Sequence, residues 1–385
     1  MQSVDVTIIG AGIAGASLAA ELADGLNVVL VEREDQPGYH ATGRSAAIYT
    51  EAYGNETIRA LTSAGRDFFS NPTAEFSEIP LWRKLGVMFI GREDQADNVK
   101  KHIATASKYA REIREVSAEE IQQMVPILKK DAGAIGAHDP DAMELDVAAI
   151  HSGFLRRMKR RGGKLVTNGE VTGLKRDSDS WTIDTTAGSW TTNIVVNAAG
   201  AWADIIAELA GAKPVEITPL RRTAITFSSE DAEGLDNWPM VVNIGEEFYF
   251  KAEAGKILGS PADETKSSPC DAQPEELDVA IAVDRIQTAT NLGIREIDQK
   301  WAGLRTFAPD RSPIVGFDED LPGFFWLAGQ GGYGIQTSPA IARLASKLIL
   351  DGDLPEDIKA RGITEATLSP ARFKQSQKTE YTRTH

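Results

Sequence analysis

The stretch that most constrains this chain is Gly10-Ala11-Gly12-Ile13-Ala14-Gly15, because of what flanks it. Val4-Asp5-Val6-Thr7-Ile8-Ile9, a β-branched run of strand length, leads into it. An alanine-rich helix is predicted after it, with Leu18 and Leu22 four apart on one face and Gly25 placed to stop it. Val28-Val29-Leu30-Val31 reads as a buried parallel strand, and Glu32 follows, twenty residues beyond Gly12. Strand, glycine turn, helix, second strand and terminal acid in this order form a dinucleotide fingerprint. Gly10 makes the tight turn, Gly12 lets the backbone approach a pyrophosphate, and Gly15 lets helix pack on strand. Ile13 and Ala14 open the helix, whose unpaired N–H groups and partial positive charge suit phosphates. Glu32 is placed to accept hydrogen bonds from a ribose, with Arg33 beside it.

At 385 residues the chain exceeds the size one core usually serves, so two domains are expected. Its net charge of −15 argues against nucleic acid and against anionic membrane surfaces. No run approaches the roughly 20 apolar residues of a membrane span. The single cysteine, Cys270, excludes an internal disulfide. The first strand begins within four residues of Met1, which leaves no room for a cleaved signal, and a cytoplasmic location is expected.

After Glu32 the chain does not continue at once into regular βα units. It runs through Arg33 to His40 and then Ala41-Thr42-Gly43-Arg44-Ser45-Ala46-Ala47, a small, polar segment able to wrap a second phosphate or an extended cofactor. Helices are predicted over 57–69, 117–124, 151–161, 203–209, 275–289 and 339–350, the last with Pro339 in its first turn and Thr337 or Ser338 as cap. Asn193 to Ala199 and Gly200 form a buried strand ending in small residues, which let a ligand lie close to the backbone. From Pro214 to about Pro309 the pattern becomes alternating β segments with turns, the mark of an antiparallel second domain. The first pattern then returns with Phe324 to Gly329.

Five scattered histidines form no metal-ligand cluster, and no Gly-x-Ser-x-Gly elbow is present. That sets aside metal hydrolysis and acyl transfer and leaves redox chemistry carried by a cofactor. GAGIAGAS, Glu32, GYHATGRSAAIYTEAYG (38–54), NAAGAW (197–202), WAGLRTF (301–307) and GQGGYGIQTS (329–338) together resemble the D-amino-acid oxidase family of FAD enzymes, in particular its bacterial D-arginine dehydrogenase branch. The resemblance covers nearly the whole chain. It implies an α/β fold: a Rossmann-like, glutathione-reductase-type FAD-binding domain from residues 1–75, 145–213 and 310–370, and a mostly antiparallel α+β substrate domain from 76–144 and 214–309. Residues 371–385 are expected to be a frayed tail.

By the same resemblance Arg222, Arg305 and Tyr249 hold a substrate carboxylate, and a planar guanidinium suits that task because it binds a carboxylate bidentately. Tyr53 resembles a lid over the substrate, and Gly332 and Gln336 reach it. Non-covalent FAD is expected on Gly10, Gly12, Ile13, Ala14, Gly15, Glu32, Arg33, Arg44, Ser45, Ala46, Val171, Ala199, Gly200, Gly303 and the closing run Gly331, Gly332, Tyr333, Gly334, Ile335, Gln336 and Thr337. The N–H groups of that run would face the flavin N1/C2 edge, where negative charge develops on reduction.

Two departures bear on substrate. The D-arginine enzymes carry a glutamate where this chain has Val87, and a histidine where it has Ile48. Losing the acid removes the partner of a cationic side chain and leaves a pocket of Ile48, Thr50, Val87, Met240 and Val242, with Glu51 the one compensating charge nearby. The expected activity is oxidative deamination of D-amino acids to 2-oxo acids and ammonia, favouring uncharged or hydrophobic side chains. The alternative is another carboxylate-bearing amine, of sarcosine or glycine type, or a 2-hydroxy acid. The partners expected are the small-molecule amino acid and an electron acceptor, oxygen or quinone-type.

Overall fold

The computed structural model describes residues 2–373. Two large sheets and one small one organise the chain. In the first, five parallel strands stand in the order Lys164–Val166, Val28–Val31, Gln2–Ile9, Gly188–Asn197, Phe324–Ala328. Ile314–Phe317 adds an antiparallel edge strand, and the meander Val171–Asp177 and Ser180–Thr185 pairs with the opening half of Gly188–Asn197. Ile13–Leu22 packs against Val147–Arg160 and Gly334–Asp351, so the apolar face of Leu18 and Leu22 closes a core with Phe154, Ile341 and Leu344.

The second sheet has nine strands drawn from 87–139 and 218–307. Its pairings are antiparallel except that Met240–Asn243 runs parallel to Val87–Gly91. The helix Glu276–Ala289 covers one face, burying Ile286 against Phe227 and Phe250. The opposite face carries Val87, Phe89, Met240, Val242 and Tyr249, packed with the helix Ala96–Ala106. A small sheet of Ile48–Tyr49, Met143–Leu145 and Trp82–Lys84 lies apart from both.

Several elements depart from the sequence expectation for local reasons. The helix expected from His151 begins at Val147, because the Asp146 carboxylate caps it by accepting from Ala149 N at 2.8 Å. The stretch 164–171, whose alternation predicts a single strand, is broken into two at Asn168, whose φ is +53°. The largest correction concerns the last helix, which runs Gly334–Asp351 and places Pro339 in its sixth position rather than its first turn. Proline has no N–H for the carbonyl of Ile335 four residues back. The Ser338 hydroxyl takes that carbonyl instead, at 2.9 Å, and Thr337 Oγ1 bonds to Tyr333 O at 2.9 Å. Neither Thr337 nor Ser338 is therefore an N-cap. Of the expected tail, residues from 374 onward lie outside the described residues. Arg372, by contrast, is anchored to Asp310 at 2.8 Å. Among the described residues, no helix is long and apolar enough to cross a membrane.

Candidate active site

A single cleft runs from the glycine turn of the first sheet to the inner face of the second. It is lined by Gly10, Gly12, Ile13, Ala14, Glu32 and Arg33 at one end and by Arg222, Tyr249, Gly303 and Arg305 at the other. Arg44, Ser45, Ala46, Val171, Ala199, Gly200, Gly331, Gly332, Gly334 and Ile335 line the cleft between these ends.

The first end is built for a backbone-to-ligand approach. Gly10 has φ +100°, and a Cβ there would stand 2.5 Å from Ala198 O, at the end of the neighbouring strand. Gly15, expected among the cofactor-binding residues, does not line the cleft; its missing Cβ would lie 1.9 Å from Gly10 O, so it lets the helix close on the turn. Glu32 Oε2 accepts from Ala11 N at 2.8 Å and Oε1 from Glu34 N at 3.0 Å, so the acid also braces the turn. Three contributors were not legible in the sequence. Thr42 Oγ1 accepts from Ile13 N at 3.0 Å, His151 Nε2 meets Ala11 O at 2.9 Å, and Trp202 lies under the Arg33 guanidinium at 4.3 Å. Each depends on a contact across a large sequence separation, and no local pattern marks it.

The wrapping segment is held from outside. Arg44 Nη1 donates to Ala272 O and Ala302 O at 2.9 Å each, and Asp271 answers its charge. Arg44 is thus a wall that ties the segment to the second sheet. It packs over Gly303, where a Cβ would come 3.5 Å from Arg44 Cβ.

Arg222 and Arg305 lie on adjacent antiparallel strands, Thr218–Phe227 and Gln299–Phe307, with Arg222 opposite Gly303 and Leu220 opposite Arg305. Paired residues point to one face, so both guanidinium groups reach the cleft side while Arg221 points the other way. Arg221 is consumed there by Asp278 at 2.9 Å and by Glu275. Arg222 is buried, with Nε on Asp263 O at 2.8 Å and Nη2 3.4 Å from Glu264. Arg305 has no ion-pair partner among the described residues. Burial works to lower its pKa, but Tyr53, Tyr249 and Tyr333 around it outweigh that and hold it above the ordinary value.

Other expected residues sit elsewhere. Gln336 is buried and spent: Oε1 accepts from Thr50 N at 3.3 Å, and Nε2 donates to Thr62 Oγ1 at 3.0 Å. It clips the Thr50 segment and does not reach the cleft. Thr50 is equally occupied, donating Oγ1 to Asp139 at 2.8 Å. Thr337 is buried on its own helix. Ile48, Val87, Met240 and Val242 do come together with Tyr249 in one apolar cluster, but Val87 is fully buried and does not line the cleft. Tyr53 packs against Tyr333 with the rings tilted by 59° and their centroids 5.0 Å apart, and the pair lines a second cavity.

The closing run completes the cleft. The last helix begins at Gly334, so its N-terminal N–H groups stand at the cleft wall itself. Gln330, also on that wall, has a buried Nε2 with no hydrogen-bond partner among the described residues. A donor left orphaned in a cleft whose glycines keep the walls clear of side chains fits an extended dinucleotide with carbonyl acceptors on its ring. Cys270, the one thiol, is exposed and lines the same cleft. Among the described residues no three His, Cys, Asp or Glu side chains converge as a metal site.

Comparison with known proteins agrees with this architecture. Human mitochondrial dimethylglycine dehydrogenase is 24% identical over 400 residues, covering 98% of this chain and 45% of that protein. The chain therefore spans less than half the length of that relative. Glycine oxidase of Pseudomonas aeruginosa is 27% identical over 370 residues, covering 90% of this chain and 95% of its own. The crystal structure of L-proline dehydrogenase from P. horikoshii superposes with a TM-score of 0.85 at 24% identity, covering 97% of this chain and 99% of that one. None of these three is a D-arginine dehydrogenase, and the likeness to that branch rests on the motifs quoted above. The family model described as FAD dependent oxidoreductase (DAO) matches residues 5–348, and the chain belongs to that family, with FAD as its cofactor.

Proposed function

We propose that this chain oxidises a carboxylate-bearing amine at its Cα–N bond, with Arg305 as the main carboxylate anchor and Arg222 beside it. The observation that carries this reading is the guanidinium of Arg305: it stands in the cofactor cleft against Gly332, among three tyrosines and without an acid partner among the described residues. A half-buried guanidinium without an acid partner lacks a counter-charge, and a substrate carboxylate would supply one. The flavin, when bound, supplies the two-electron acceptor. The residues bind and orient: Arg305 and Arg222 fix the carboxylate, Tyr249 borders the same end of the cleft, and Tyr53 covers it. The substrate's own neutral amine provides the electron push, so no side-chain base is required and kcat/KM rises with pH as that amine loses its proton. Tyr333 is no candidate base, since burial raises its phenol far above its ordinary pKa.

The domain partition set out above belongs to this proposal. It is supported by the two large sheets drawing their strands from separate stretches of chain. Within the substrate class the first reading is D-amino acids with uncharged or hydrophobic side chains, supported by the apolar character of the cluster around Tyr249, in which Val87 supplies no acid to meet a cationic side chain. The second reading is a secondary amine or glycine. It is favoured by relatives named for dimethylglycine, glycine and L-proline.

Anaerobic bleaching of the bound flavin decides among them. D-methionine, D-leucine and D-phenylalanine should bleach it faster than D-arginine, sarcosine, L-proline or a 2-hydroxy acid; bleaching by sarcosine or L-proline alone would move the assignment to the second reading. No bleaching by any carboxylate substrate would remove the enzymatic reading altogether. Timed reoxidation in air then separates oxygen from a quinone-type acceptor. Acid precipitation should release the flavin into the supernatant; flavin left in the pellet would mean a covalent link, which loss of pellet flavin in Cys270→Ser would place on Cys270.

A further inference from the structure

We infer that the cavity on the far side of the Tyr53–Tyr333 pair is a second carboxylate-binding site, organised on Arg59. It encloses about 440 Å³ and is bordered by Tyr53, Arg59, Phe89, His102, Val242 and Tyr333. Arg59 projects from the first turn of the helix Glu56–Ser70 and is only 9% exposed. Its Nε is buried without a hydrogen-bond partner, and among the described residues no acid pairs with it. Glu56, one turn away, is taken by Lys108. A buried guanidinium with an unpaired donor is expensive unless an anion meets it.

Of the other four charges around the cavity, Glu264, Asp310 and Arg311 are already matched. Glu264 accepts two bonds from Arg311, at 3.0 and 2.7 Å, and Asp310 is held by Arg372. Glu246 stands exposed at the rim. Arg59 is the cation left over. A second polar group lies on the same lining: His102 Nε2 is also buried and unpartnered, with its ring 4.2 Å from that of Phe89, and it donates in the tautomer that protonates Nε2. A neutral imidazole can offer one N–H, so guanidinium and imidazole together present the donors that one carboxylate accepts. Phe89, Val242 and the two tyrosine rings supply an apolar lining, as small-ligand sites do.

The ligand chemistry is therefore a carboxylate, arriving either as the distal end of a dicarboxylic substrate or as a separate monocarboxylate. The second cavity and the cleft have no lining residue in common, so the two sources give distinct binding behaviour. The site stands independently of the reaction proposed above, because its readout is binding at His102 and not turnover.

The test uses the FAD-loaded protein labelled with 15N-histidine, with the His102 ring signal assigned by His102→Gln. Sodium acetate should shift that signal saturably, while sodium chloride at equal ionic strength should not. Arg59→Met should weaken the acetate midpoint at least tenfold, and Arg59→Lys, which keeps the charge, should recover part of it. Glutarate distinguishes the sources: one midpoint shared by the His102 signal and the flavin absorbance means one ligand spanning both sites, and separate midpoints mean an independent monocarboxylate site. A non-saturable shift, a shift reproduced by chloride, or an acetate midpoint unchanged in Arg59→Met would overturn the inference. Loss of the amine reaction with the His102 response intact would overturn only the proposed function.

Discussion

Arg305 and Gly332 are packed so closely that a Cβ on Gly332 would stand 2.7 Å from Arg305 Nη1 and 2.8 Å from Cζ. The closing glycine run thereby sets the position of the carboxylate anchor. The atoms in the way belong to the far end of a flexible side chain, so Gly332→Ala should move Arg305 rather than break the fold. A displacement of about 1 Å at a positioning group costs on the order of 10²-fold. We expect the variant to bind FAD normally while kcat/KM for the carboxylate substrate falls by about that factor, mainly through KM. A variant with unchanged kcat/KM would remove Arg305 from the site.

The glycine turn gives the opposite outcome. In Gly15→Ala the added carbon would meet Gly10 O at 1.9 Å, and both are backbone-bound with nowhere to go. This variant should purify with little flavin, read as the ratio of visible to ultraviolet absorbance, and with a lowered Tm. Gly25→Ala is the control. Nothing lies within 4 Å of its Cβ, so flavin content should be unchanged and stability equal or raised by up to about 1 kcal/mol.

How far the sequence foretold this site follows from the range of the interactions involved. Gly10, Gly15 and Glu32 act within one βαβ unit, and local spacing states their roles. Arg222 and Arg305 are 83 residues apart, yet each lies in an alternating strand, and pairing the strands makes them neighbours. Gln336 and Thr50 lie off the cleft for a reason that spacing does not state: the Gln336 amide oxygen takes the Thr50 backbone N–H across 286 residues, and the Thr50 hydroxyl turns to Asp139. Thr42, His151 and Arg59 carry no local signal at all. Pro339 misled because its usual place in a first turn is a statistical preference, and Ser338 removes the penalty that enforces it.

Val87 offers a sharp test of the pocket. The branch of D-arginine enzymes has glutamate here, so Val87→Glu is the natural exchange to confer D-arginine activity. In this chain Val87 is fully buried between Met240 and Asp139 in register, inside the cluster that includes Phe89 and Tyr249. A carboxylate there would be desolvated and close to an acid whose own pKa burial already raises. We expect Val87→Glu to lose stability by several kcal/mol, seen as a lower denaturant midpoint, without gaining D-arginine turnover. Efficient D-arginine oxidation by a stable Val87→Glu protein would show that the cluster opens to substrate.

His102 should make the protein sensitive to acid. Burial, and then the Arg59 charge, lower its pKa to about 4 from the ordinary 6.5. As pH falls from 6.5 towards 4, the unfolded chain takes up the proton and the folded chain does not. Stability is therefore lost through that window, by at most about 1.4 kcal/mol per pH unit for one group. Below about 4 both states are protonated and the loss stops. His138 and His151 shift in the same direction by burial, and the buried acids Glu51 and Asp139, whose pKa values are raised, shift stability the other way. All of these remain in His102→Gln, so the difference between the two proteins isolates one imidazole. Denaturant midpoints measured from pH 7 to 4 should fall less steeply in His102→Gln than in the wild type; parallel curves would mean that His102 already carries its proton in the folded protein, or is solvated enough to take it freely.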